Sequence, residues 1–185
     1  MDDRKIIDLF FARSEQAIDA LTDKYGKLCQ MIASNILGNQ LDAEECVNDT
    51  YLAAWNTIPP QKPNPLRTYI CKITRNIAVT RYHTNTAQKR NSHYDIALDE
   101  LAECLCSAET AESHILAKEL SHLLDRFLTS LDKRSRVMFV RRYWYADSVA
   151  QIARDFGMRP NSVSVQLSRI RSKLRNFLIK EGYLL

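Results

Sequence analysis

The chain has 185 residues, of which 45% are hydrophobic and 26% charged, and a formal net charge of +4. That length suits one medium domain or two small ones with a real core, which excludes disorder throughout. No run of about 18 uncharged apolar residues occurs, and Met1-Asp2-Asp3-Arg4-Lys5 lacks the apolar centre of a signal peptide, so a cytoplasmic location is expected.

From Asp8 to Leu37 the residues Leu9, Phe10, Ile18, Leu21, Tyr25, Leu28, Ile32 and Ile36 predict two helices, closed by Gly38-Asn39. A third helix is expected to open at Asp42, paired with Glu45 in a capping box. Val47, Tyr51, Ala54 and Ile58 share its apolar face, while Asp42, Glu45 and Asp49 lie nearly opposite. Taken alone, that acidic face reads as solvated surface placed well in the helix dipole. Pro59-Pro60-Gln61-Lys62-Pro63-Asn64-Pro65 forms a stiff loop, because its prolines remove donors and disfavour helix. Beyond it Leu66, Ile70, Ile73 and Ile77 make a narrow apolar stripe with Arg67, Lys72, Arg75 and Tyr82 on the far side. Basic groups near Trp55, Tyr69 and Tyr82 suit single-stranded nucleic acid, whose backbone follows charge while its bases stack on rings. Trp55 reads as core, and Tyr69 stays open between the two roles.

Asn91 to Ser113 has weak periodicity and the acidic run Asp95, Asp99, Glu100, Glu103, Glu109 and Glu112, the pattern of a linker with at most short helical pieces. Helical spacing resumes through Ile115, Leu116, Leu120, Leu123, Leu124, Phe127, Leu128 and Leu131. The next helix, Asp132 to Trp144, is expected to turn Val137, Met138, Val140 and Tyr143 inward and Arg134, Arg136, Arg141 and Arg142 mostly outward. Ser148 to Phe156 is the short first arm of a helix-turn-helix, and Gly157 and Pro160 mark the turn. In the second arm Val163, Leu167, Ile170, Leu174 and Leu178 form one apolar face. Ser162, Val165, Gln166, Ser168, Arg169, Ser172 and Lys173 face elsewhere, a set of hydroxyls, an amide, a methyl-bearing side chain and cations that suits a major groove. No segment alternates like a strand, so the fold class is all-α.

Charge is unevenly distributed. Residues 62–90 hold seven basic and no acidic side chains, residues 91–113 six acidic and no basic, and residues 132–185 twelve basic against four acidic. Two positive modules around a negative connector fit a polyanionic partner. Of the five cysteines, Cys29, Cys46 and Cys71 fall in apolar helical patterns and read as reduced core residues. Cys104, Cys106 and His114 leave a tetrahedral metal site incomplete, so neither metal nor cofactor is expected. Four scattered histidines and four glycines in no phosphate-loop spacing argue against an enzyme. A nucleic-acid-processing enzyme that holds Mg²⁺ on Asp42, Glu44, Glu45 and Asp49 is the formal alternative, since carboxylates suit that ion.

Two stretches, taken together, resemble the extracytoplasmic-function type of the sigma-70 family, initiation subunits of bacterial RNA polymerase. Leu41 to Trp55 with Leu66 to Ala78 is similar to region 2 of the family. Leu131 to Tyr143, Gln151-Ile152-Ala153 and Gly157 to Leu174 are similar to region 4. The resemblance implies two small helical domains, region 2 over residues 1–92 and region 4 over 114–185, joined by an acidic linker over 93–113. It implies that Asp42, Glu45 and Asp49 dock on the β′ clamp helices of core polymerase. It further implies that Lys62, Asn64, Arg67, Tyr69, Lys72, Arg75 and Asn76 engage the minus-ten element as the duplex opens. Arg159, Ser162, Ser164, Val165, Gln166, Arg169 and Arg171 would meet the minus-thirty-five element, and apolar residues of region 4 would pack on the β flap. Many relatives carry a Lys-Ser-Arg-like trio where this chain has Ser164-Val165-Gln166, which shifts the basic contacts expected there to Arg169 or Arg171. Anti-sigma control, common in the family, is an expectation here. The competing reading is a helix-turn-helix regulator that binds promoter DNA without joining polymerase.

Overall fold

The computed structural model describes residues 1–85, 93–105 and 113–183, with side chains over 1–84, 93–102 and 119–183. Among the described residues it is helical, without strands: α1 (Asp3–Phe11), α2 (Gln16–Leu37), α3 (Gln40–Thr57), α4 (Leu66–Asn85), α5 (His93–Leu105), α6 (Ser113–Ser130), α7 (Lys133–Tyr143), α8 (Val149–Phe156) and α9 (Pro160–Lys180). The chain divides into two compact units, Met1–Tyr94 and Asp95–Leu185.

In the first unit α2, α3 and α4 pack against one another, with α1 against α2. Ile6 and Phe10 of α1, Leu21, Cys29, Ile32 and Ile36 of α2, Ala43 and Ala54 of α3, and Leu66, Ile70 and Ala78 of α4 are fully buried. Polar contacts then fix α1: Asp3 Oδ1 accepts from Lys24 Nζ and from Tyr25 OH, each at 2.6 Å. Cys29, Cys46 and Cys71 are buried in this core and form no disulfide, as their apolar surroundings in sequence imply. Burial pushes the Cys29 thiol up to about 11 and that of Cys46 to about 12.

Two details of α3 differ from expectation. Its cap is Asn39, not Asp42: Asn39 has extended backbone (φ −130°, ψ 130°) and its Oδ1 accepts the Leu41 N–H at 2.9 Å. Gly38, in the left-handed region at φ 65°, ends α2 and delivers Asn39 in that geometry, so the helix starts two residues before Asp42.

In the second unit Leu123, Phe127, Leu131, Met138, Phe139, Ile152, Val163, Leu167, Ile170, Leu174 and Leu178 build the core. The five apolar residues of α9 are all within it, each contributing roughly 1.5–3 kcal/mol as an upper bound on burial. Asp132 caps α7 by accepting the Ser135 N–H at 2.9 Å, and Ser148 caps α8 by accepting from Gln151 N–H at 3.1 Å.

The stretch expected as a linker contains a 13-residue helix, α5. Its first residues, His93 and Tyr94, belong to the first unit, where Tyr94 meets Tyr82 edge-on at 5.2 Å. Ala97 belongs to the core of the second, and Leu101, partly buried, packs against that core. Residues 106–112, including Glu109 and Glu112, and the side chains of Cys104 and His114 lie outside the described residues.

Candidate nucleic-acid interface

The structure brings the α3 acids together and adds a residue that sequence reasoning missed. Arg81, in α4, extends Nη1 to Glu45 Oε2 at 2.6 Å and Nη2 to Asp49 Oδ2 at 2.8 Å, and Nη1 reaches the Asp42 carbonyl at 3.5 Å. The hydrogen bond that Arg81 donates to Glu45 and the charges of both carboxylates raise the guanidinium pKa further, against burial. With Asn76, Ile77, Thr80 and Thr84 these groups line an open groove of about 560 Å³. The Glu45 side chain is 66% exposed and that of Asp49 43%, so the groove presents carboxylate to solvent although one cation already neutralises part of it. No local signal marks Arg81, which lies 32 residues from Asp49 in sequence.

Lys62, Asn64, Arg67 and Lys72 are exposed around the prolyl loop and the start of α4, while Leu66 and Ile70 hold that helix to the core. Tyr69 is half-buried. Arg75 is partly covered, its guanidinium 5.8 Å from the centre of the Tyr94 ring. Asn76 is exposed but lines the acidic groove; nine residues after Arg67, it lies about 180° around the helix from it.

The turn between α8 and α9 has a defined closure. Gly157 takes φ 62°, its N–H donates to Arg154 O at 3.2 Å and Met158 N–H donates to Ala153 O at 2.8 Å, a Schellman pair around a left-handed residue. Arg159 is extended and Pro160 occupies the first turn of α9, where a missing N–H is harmless. Arg159, Ser162, Ser164, Val165 and Arg169 are exposed, with Gln166 half-buried beside them.

Arg171 departs from that set. Its Nη1 donates to Tyr143 OH at 2.8 Å and to Glu100 Oε2 at 3.2 Å. Glu100, in α5, also accepts from Arg142 Nε and Nη2 and from Tyr143 OH. Burial pushes the Glu100 carboxyl up, but the Arg142 bond and charge, the Tyr143 hydroxyl and Arg171 outweigh it and hold the pKa below its ordinary value. Burial and the Glu100 charge push the Tyr143 hydroxyl up.

This network corrects the reading of α7. Arg142 is 2% exposed, bonded to Glu100 and to the Asp147 carbonyl, and Arg141 pairs with the buried Asp147 and with Asp155. Phe139 takes an inward place instead of Val137, which is 41% exposed. Partners outside the helix make the arginines core-compatible, because a buried charge is tolerated when paired and hydrogen-bonded.

An acidic helix face in one helical unit suits a basic protein partner, and a helix-turn-helix with a polar, basic outer face in the other suits duplex DNA, together the outline of a two-module DNA-binding protein. Comparison with known proteins makes the class specific. The model for sigma-70 region 2 matches residues 21–88 and that for sigma-70 region 4 matches residues 121–174, together about two thirds of the chain. The chain belongs to the sigma-70 family, in its extracytoplasmic-function type: it is an RNA polymerase sigma factor, directing core polymerase to promoters at transcription initiation. It is similar to the ECF RNA polymerase sigma factor SigL of Mycobacterium tuberculosis, strains H37Rv and CDC 1551, at 22% identity over 165 residues, 88% of this chain and 89% of the relative. A solved structure, CnrH in complex with the cytosolic domain of CnrY, is 20% identical, covering 96% of this chain and 97% of that one with a TM-score of 0.45. Among the described residues no helix is long and apolar enough to cross a membrane, and no three His, Cys, Asp or Glu side chains group to hold a metal ion.

Proposed function

We propose that the two modules divide the work of initiation by face. Asp42, Glu45 and Asp49 dock on the β′ clamp helices of core polymerase, their charges fixing the register against basic groups. Lys62, Asn64, Arg67, Tyr69, Lys72 and Arg75 hold the non-template strand of the minus-ten element, phosphate contacts offsetting the few kcal/mol needed to unstack a base. Asn76, which lines the acidic groove, belongs with the docking face in this reading. Arg159, Ser162, Ser164, Val165, Gln166 and Arg169 meet the minus-thirty-five element, whereas Arg171 serves the fold of its module. Exposed apolar side chains of α7 and its end, Val137 and Trp144, suit the β flap. The protein works in the cytoplasm and has no catalysis of its own, since the chemistry belongs to polymerase. Family membership also admits an anti-sigma partner.

The observation that carries this reading is the segregation of exposed side chains: carboxylates on α3, cations and amides around the loop at residues 59–65, hydroxyls and cations on α9. In vitro transcription with core polymerase on genomic promoter fragments tests it. Discrete start sites that depend on this protein and disappear with Glu45→Lys are expected. A specific footprint by the protein alone, with no template gaining initiation, overturns it.

A further inference from the structure

Helix α1 ends in Phe10-Phe11, and one residue's step turns the two rings apart. Phe10 is fully buried, its ring 6.1 Å from that of Trp55, while Phe11 is 37% exposed. The turn that follows is closed like the one before α9: Arg13 N–H donates to Phe10 O at 3.1 Å and Ser14 N–H to Leu9 O at 3.0 Å. Glycine normally takes the left-handed position of this motif, yet Arg13 occupies it here at φ 51°, a region that L side chains disfavour. A tether holds it there. Arg13 Nη1 donates to the Trp55 carbonyl at 2.6 Å and its guanidinium lies 5.3 Å from the centre of the Trp55 ring. That carbonyl is in the last turn of α3, the negative end of the helix, so the tether fixes the α1–α2 turn beside the point where the prolyl loop departs. From that loop Lys62 reaches back, Nζ 4.9 Å from the centre of the Phe11 ring.

A single exposed phenylalanine is ordinary. This one is held beside the loop by a strained residue and carries a lysine on its face, with Asn64 and Arg67 exposed nearby in sequence. Aromatic faces that stack bases, with cations that follow the backbone, are how proteins hold single strands. We propose that Phe11 is a stacking platform for an unpaired base of the non-template strand, with Lys62 leaving the ring for the adjoining phosphate. The inference rests on the reading that the loop and α4 grip the minus-ten element. It adds to that grip a segment from the opposite end of the module's sequence.

The test uses holoenzyme rebuilt from core polymerase and the full chain. The probe is a single-stranded non-template oligonucleotide carrying the minus-ten element of a promoter selected by that holoenzyme. Phe11→Ala and Phe11→Leu are expected to weaken its binding about tenfold, the scale of one lost base–ring stack, while Phe11→Tyr retains it. Core association and duplex minus-thirty-five binding are expected to stay unchanged. Wild-type binding by Phe11→Ala or Phe11→Leu, or failure of Phe11→Tyr to retain it, overturns the platform, as does an equal loss in core association. Arg67→Ala separates the two levels: if it weakens the probe and Phe11→Ala does not, only the platform falls, and if neither does, the minus-ten reading falls with it.

Discussion

Arg142 donates from Nε and Nη2 to the two carboxylate oxygens of Glu100, at 3.2 and 2.8 Å, across 42 residues of sequence. Removing the acid leaves a guanidinium that is 2% exposed, bonded to the Asp147 carbonyl but without its counter-charge. Glu100→Gln is therefore expected to destabilise the second unit by about 2–4 kcal/mol, below or within the range for a broken buried pair. Faster hydrogen exchange at α7 and α9 amides, with those of α2 unchanged, checks it.

The same carboxyl sets an acid response. Its pKa in the folded chain lies below the ordinary 4.5, so its contribution is full above that value and is lost as pH falls through the folded one. Acid unfolding of the second unit should be less steep in Glu100→Gln than in the parent. Superimposable pH profiles would count against the network.

On α3, Glu45 is the cleaner probe of docking than Asp49, because its side chain is more exposed while both pair with Arg81. Exposed ion pairs contribute about 0–1 kcal/mol to folding, so Glu45→Lys should leave the melting temperature nearly unchanged. It should cut affinity for core polymerase about tenfold or more, most at low salt, where charge complementarity is least screened. Co-purification with core enzyme across a salt series measures this.

Arg169 and Gln166 differ in what they offer DNA. Loss of a phosphate contact in Arg169→Ala is expected to weaken all promoters alike and lower the salt slope by about one. Gln166→Ala should instead change the base preferred at one minus-thirty-five position, at a cost of about 1–3 kcal/mol on the parent's best sequence. Binding of the holoenzyme to a randomised element separates the two patterns.

Gly157 lies at φ 62°, and a Cβ built on it meets nothing within 4 Å. The cost of Gly157→Ala is then conformational alone, about 1–2 kcal/mol against the second unit. A lower denaturation midpoint with unchanged DNA sequence preference is the expected result.

The apolar stripe of α9 was legible because its period and its burial coincide, and the α3 acids because they share one helical face. What escaped depends on partners distant in sequence. Arg142 reads as surface in a run of arginines, since its acid sits in a stretch whose composition resembles a connector. Arg81 is one cation among many until α4 packs on α3. Asn39 and Asp42 are both good caps, and the left-handed Gly38 decides between them. Arg13 occupies a place where sequence rules look for glycine, so its turn gave no signal.

The contact of Glu100 with α7 and α9 also bears on how this protein is taken apart at the bench. A fragment beginning at residue 114 keeps the whole stretch matched to region 4, residues 121–174, yet discards the counter-charge of a desolvated arginine. One beginning at residue 93 keeps it. The shorter piece would bind DNA weakly because it folds poorly, and its weakness would be mistaken for a property of the recognition helix.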